Sequence, residues 1–129
     1  MRRTFLALAV LALVLPAQDK KGKTPELEFS QVQVHRIDDQ LIAVDGSVRN
    51  TGTKTLKEVT IIFEFFAPGH QSITIQRGAP EPSTIVAGDL VEFHLQLRAP
   101  ARAVQVELGA EDHSGRELRV GKPGPYPVE

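Results

Sequence analysis

Four histidines, His35, His70, His94 and His113, are the residue types most able to bind a metal or move a proton in this sequence. None is spaced with another as metal ligands are, and a structural zinc site takes four nitrogen or sulfur ligands. Cysteine is absent, and Met1 is the sole methionine, so copper handling has no soft ligands to use. Glu111-Asp112-His113-Ser114 contains the letters of a hydrolase triad. Adjacent residues cannot aim at one reacting atom, however, because a triad converges from separate elements. The segment reads instead as a hairpin turn, with Asp and Ser side chains bonding the local backbone. Asp38-Asp39 lacks the six to eight oxygen ligands that Ca²⁺ takes, and reads as a turn as well.

No glycine-rich phosphate loop leads into a helix. The chain has no Trp and a single Tyr, Tyr126, which disfavours ring stacking on carbohydrate. The formal net charge of −1 offers no electrostatic footprint for nucleic acid or anionic lipid. These exclusions make the chain a non-enzyme in expectation, with no cofactor, no metal and no nucleic-acid partner.

The elements that would position any site begin after an export signal. Arg2 and Arg3 precede the apolar run Phe5 to Leu15, and Pro16-Ala17 closes it. A basic start, an apolar stretch too short to span a bilayer and a small residue make a signal peptide over residues 1–17, cleaved after Ala17. Arg2-Arg3-Thr4-Phe5-Leu6 is similar to the core of a twin-arginine signal, although the short basic region favours the general route. No cysteine follows the run, so no lipid anchor is expected. The remainder is then extracytoplasmic (periplasmic or secreted) and soluble, without membrane insertion. Residues 18–25 read as a flexible polar lead-in.

From residue 26 the apolar pattern has period two. Leu27 and Phe29 alternate on one parity and Val32 and Val34 on the other, a phase slip that signals a bulge or a strand that switches sheets. Ile42, Val44, Gly46 and Val48 share one face of the next strand. Val59, Ile61, Phe63 and Phe65 then share a face, with Ile62 and Phe66 on the other, as expected of a central strand partly covered by a loop, with an apolar patch for a partner as the alternative. Ala67-Pro68-Gly69-His70 fits a type II turn, and Ile73 and Ile75 mark a short strand. Val91, Phe93, Leu95 and Leu97 alternate cleanly with Glu92, His94, Gln96 and Arg98. Val104, Val106 and Leu108 follow, then Leu118 and Val120. The polar, proline-bearing stretch 77–85 suits a crossing between sheets. The expected fold is all-β: an immunoglobulin-like antiparallel sandwich of about seven strands over residues 26–121. Residues 122–129 form a Pro-rich tail, expected as a solvated terminus, with a docking segment or an arm along the sandwich as the alternative.

Val44-Asp-Gly-Ser-Val-Arg-Asn-Thr-Gly52, Leu56-Lys-Glu-Val59, Phe63-Glu-Phe-Phe-Ala-Pro-Gly69 and Ile85-Val-Ala-Gly-Asp89 with Phe93 together resemble the FxLYD family. These are small immunoglobulin-like domains of exported prokaryotic proteins, named for a Phe-x-Leu-Tyr-Asp strand that ends in a turn. Phe63 matches the Phe, Phe65 stands for the Leu and Phe66 for the Tyr, while Ala67 departs from the Asp. The resemblance spans roughly residues 27–112 and implies structural roles for Gly46, Asn50, Gly52, Phe63, Phe65, Phe66, Gly69, Gly88 and Phe93. It carries no catalytic residues.

Two functional expectations follow. The first is an interaction or scaffold module that binds a protein partner in the cell envelope through a sheet edge or an apolar patch at Ile62 and Phe66. The second is a small-ligand or metal carrier in which end loops bring His70 together with Asp112 or His113. Oligomeric state is left open.

Overall fold

The computed structural model describes residues 24–129. The expected signal peptide of residues 1–17 and positions 18–23 of the expected lead-in lie outside the described residues. Among the described residues eight strands form, in the order β1 (Leu27–Arg36), β2 (Leu41–Asn50), β3 (Thr60–Ala67), β4 (Gln71–Gly78), β5 (Leu90–Arg98), β6 (Gln105–Glu111), β7 (Val120–Gly121) and β8 (Tyr126–Pro127). One sheet has the order β5-β2-β1-β7 and the other β4-β3-β6-β8. All pairings are antiparallel except β1 with β7. The result is the expected immunoglobulin-like sandwich. Among the described residues, no helix is long and apolar enough to cross a membrane.

The period-two faces build the core directly. Val91, Phe93 and Leu97 of β5, Ile42, Val44 and Val48 of β2, and Ile61, Phe63 and Phe65 of β3 are all buried. Phe93 is the hub between the sheets. It meets Phe29 edge-on at 6.2 Å and 86°, and Phe63 at 6.4 Å and 64°, geometry that the ring quadrupoles favour. Gly46 lies directly beneath that ring; a Cβ there would come within 2.8 Å of the Phe93 Cζ. The phase slip in β1 is the expected bulge, with register lost between Ser30 and Gln33 and Gln31 at φ 53°.

Arg36, at the end of β1, performs a job that no local pattern announces. Its guanidinium donates to the carbonyls of Asp38 (2.8 Å), Pro100 (2.8 Å), Ala99 (3.4 Å) and Ala103 (3.4 Å). One rigid fork thus ties the β1–β2 turn to the β5–β6 connection.

The tail departs from the solvated terminus expected for it and follows the arm alternative. After β7 pairs beside the start of β1, Pro123 accepts a hydrogen bond from the Leu108 N–H, and β8 pairs with Gln105 and Val106. Val128 donates to Val104, Glu129 donates to Val34, and Glu129 accepts from Arg36. Residues 120–129 therefore bond to both sheets in turn, with Tyr126 and Val128 packed on the core. A Gly/Pro-rich segment reads as unpaired because its partners lie far away in sequence.

Candidate functional site

The residues with chemical potential do not converge. His70 sits in the β3–β4 turn and Asp112–Ser114 in the turn after β6. The β3–β6 ladder pairs Thr60 with Glu111 at one end and Phe66 with Gln105 at the other. The two turns are therefore at opposite ends of the sheet, and the expected meeting of His70 with Asp112 or His113 does not occur. Asp112 Oδ1 accepts from the Ser114 N–H (2.9 Å), the Ser114 hydroxyl (2.7 Å) and the Arg116 N–H (3.2 Å), so the segment is a self-bonded turn. His113 enters through its backbone, donating to the Lys57 carbonyl. His94 Nδ1 is 3.0 Å from Asp45 Oδ1, a cross-strand pair on the solvent face. Among the described residues no three His, Cys, Asp or Glu side chains are grouped to hold a metal.

Phe66 follows the loop-covered reading and not the apolar-patch alternative. It does point away from Phe63 and Phe65, but it is 5% exposed rather than part of an open patch. The His70 ring covers it, stacked at 4.0 Å with planes 10° apart. Gly69 (φ 84°) and His70 (φ 61°) turn the chain back to make that cover, and His70 Nε2 lies 3.6 Å from Glu107 Oε2. Ile62 is half-buried on the same outer face. Period two assigns a side to Phe66 but says nothing about what returns to cover it.

The other motif positions serve the fold. Asn50 is fully buried; its amide donates to the carbonyls of Lys54 and Ile85, both at 2.8 Å, and its Oδ1 accepts from the Gly52 N–H at 3.0 Å. A buried amide satisfied in this way fixes the loop after β2 against the Leu56–Ile85 bridge. Gly88 turns the chain at φ 87°.

Two surface regions remain as sites. The first is a polar groove of about 710 Å³ at the end of the sandwich where β2 finishes, bounded by residues 24–26, the loop 50–57 and the hairpin 112–119. Glu26 and Asp112 share Arg116: its NH2 lies 3.0 Å from Glu26 and its Nε 3.4 Å from Asp112. Burial works to raise the Glu26 carboxyl, but hydrogen bonds from Arg116 and the Arg119 N–H, with both guanidinium charges, outweigh it and hold it below the usual value. Asp112 is held to about 2, first by the Ser114 hydroxyl and then, against some desolvation, by the Ser114 and Arg116 N–H groups and the Arg116 charge. Sequence reasoning missed this network, since Glu26 and Arg116 are 90 positions apart.

The second region is the margin formed by β4 and β5. These edge strands converge where Gly78 meets Leu95, and they diverge toward Arg98 around a groove of about 450 Å³. Thr74 and Gln76 line that groove and bond to each other at 3.0 Å. A bulge opposite Phe65 and Phe66 splits the two isoleucines of β4: Ile73 packs on the core, while Ile75 is 50% exposed on the outer face.

No family model matches the chain, and no curated protein is similar to it in sequence. Among solved structures, beta-glucosidase 3B from Thermotoga neapolitana in complex with glucose is similar over 73% of this chain at 17% identity and a TM-score of 0.40. Beta-glucosidase from Kluyveromyces marxianus in complex with glucose is similar over 82% at 17% identity and a TM-score of 0.35. This chain spans 15% of the length of each. Likeness at that level assigns neither a site nor an activity.

Proposed function

We propose that this chain is an exported, non-catalytic interaction module that binds a protein partner in the cell envelope by strand addition at β4. The observation that carries the reading is the state of that edge. β4 is an eight-residue strand paired on one side only, with Ile75 half-exposed on it. An extended segment gains main-chain hydrogen bonds from such an edge, and side-chain contacts decide which segment fits. The apolar patch at Ile62 and Phe66 has no part in this, because His70 covers Phe66. The non-catalytic reading is supported by the Asp112–Ser114 turn, whose polar groups are spent on one another. Export rests on the Arg2–Ala17 sequence, and membership of the FxLYD family on the quoted motifs.

The test is the solution mass of the protein alone and after incubation with envelope extract, followed by cross-linking from a photoreactive residue at position 75. A monomer that captures one defined protein, cross-linked through β4, is the expected outcome. A stable homo-oligomer that captures nothing, or a cross-link that maps elsewhere, rejects the reading. N-terminal sequencing of exported material checks cleavage after Ala17.

A further inference from the structure

We infer that the groove between the loop 50–57 and the hairpin 112–119 is a binding site for a multiply charged oxyanion, borne on a phosphoryl or a polycarboxylate group. Lys54, Lys57, Arg116 and Arg119 line the groove against two carboxylates, Glu26 and Asp112, in a chain whose formal net charge is −1. The excess of positive charge is therefore local and faces one concavity.

The two carboxylates are consumed by the wall itself. Asp112 accepts from Ser114 and Arg116, and Glu26 accepts from the Arg116 guanidinium and the Arg119 N–H. Both are held in their charged form by these bonds, so neither competes for a cation across the groove. Arg116 is correspondingly fixed as wall, and Arg119 is partly fixed through the Thr24 carbonyl at 2.9 Å. Lys54 and Lys57 are exposed and make no ion pair among the described residues.

The loop adds neutral donors. Asn50 holds it by the Lys54 carbonyl, so the peptide groups of residues 53–55 are set relative to the wall. Among the described residues, the backbone N–H groups of Thr53, Lys54 and Thr55 meet no acceptor. Unpaired donors beside two lysines, on a loop that lines the groove, suit an anion with several oxygens, which takes point charges and N–H groups together. The groove has no Phe, Tyr or Trp among its lining residues, and the His113 imidazole is its one ring. The recognised group is thus the anion, whatever scaffold bears it.

The test is a titration of ¹⁵N-labelled protein with pyrophosphate and, separately, with citrate, followed by amide shifts. Saturable shifts confined to residues 51–57 and 112–119, weakening as salt rises, are expected for at least one probe. Lys54→Gln combined with Lys57→Gln should weaken that binding about tenfold or more, on the scale of one charge-assisted contact, while leaving the rest of the spectrum in place. Response to pyrophosphate alone assigns a phosphoryl group, to citrate alone a polycarboxylate, and to both a general oxyanion site. No saturable shift with either probe, shifts scattered over unrelated lysines, or a double variant that binds like the parent overturns the inference. The β4 edge lies outside the groove, so partner capture there and anion binding here fail independently.

Discussion

Along the β1/β6 margin, residues 120–129 run between the two sheets and bond to both, at Leu27, Glu28, Val34 and Arg36 of β1 and at Gln105, Val106 and Leu108 of β6. Along the β4/β5 margin the two edge strands touch near Gly78 and Leu95 and then part around a groove. Both margins face the same physical hazard, since an unpaired strand edge is a template for another chain. One margin is laced by the protein's own tail; the other is left with an eight-residue edge that carries a half-exposed isoleucine. A fold that covers one edge with ten residues and leaves its opposite bare separates a structural margin from an available one. The proposed function rests on that difference.

The strongest way to break the contrast is to make the laced margin bare. Truncation after Gly121 removes β8, the packing of Tyr126 and Val128, and the backbone bonds to Leu108, Val104, Val34 and Arg36. We expect a loss of roughly 2–4 kcal/mol in denaturant unfolding, the scale of losing two partly buried side chains. The truncated protein should also self-associate, measured by light scattering. A truncated chain that stays monomeric and equally stable would show that the lacing is incidental.

Arg36→Ala attacks the same margin at one point. Its fork reaches four carbonyls across two connections, while the backbone N–H that bonds Glu129 is retained by Ala. A loss of about 2 kcal/mol is expected from charge-assisted bonds that leave carbonyls unpaired. Lys in its place should restore only a minor part, because an ammonium cannot match the planar fork. Recovery of full stability by Arg36→Lys would reduce the clamp to a simple charge effect.

The contrast between the margins was only half legible in the sequence, for a physical reason. Alternation at Val91, Phe93, Leu95 and Leu97 reports which way each side chain points, and that part of the fold follows from period two. The parity slip around Gln31 likewise reports its bulge. What covers a face or an edge comes from elsewhere in the chain. His70 covers Phe66 only because a positive-φ turn brings it back, and Pro123 to Glu129 find partners between 15 and 95 positions away. The same holds for Glu26 with Arg116 in the groove. Local patterns carry direction, whereas sites and covers are long-range contacts.

The open margin can be probed where its strands converge. A Cβ on Gly78 would lie 2.8 Å from Leu95 Cδ1, the flexible tip of a half-buried side chain. Gly78→Val should therefore cost about 1 kcal/mol, the low end of overpacking, because Leu95 has room to turn toward solvent. Combined with Leu95→Ala the penalty should shrink, giving a measurable coupling in a double-mutant cycle. Additive losses would place the strain elsewhere than in this pair.

The smallest effect on stability is the most informative for function. Ile75 stands opposite Glu64 on the outer face of β4 and is 50% exposed, so Ile75→Lys removes little packing and introduces no buried charge. Its unfolding free energy should stay within about 0.5 kcal/mol of the parent, as for ordinary surface changes. A lysine on an edge strand opposes pairing with another chain, because an added strand would have to shed water from the ammonium group. Partner capture should therefore fall sharply while the fold is untouched, a separation that neither the tail truncation nor Arg36→Ala can give. If capture survives Ile75→Lys but fails on truncation, the working surface is the laced margin, and the tail is part of the recognition element.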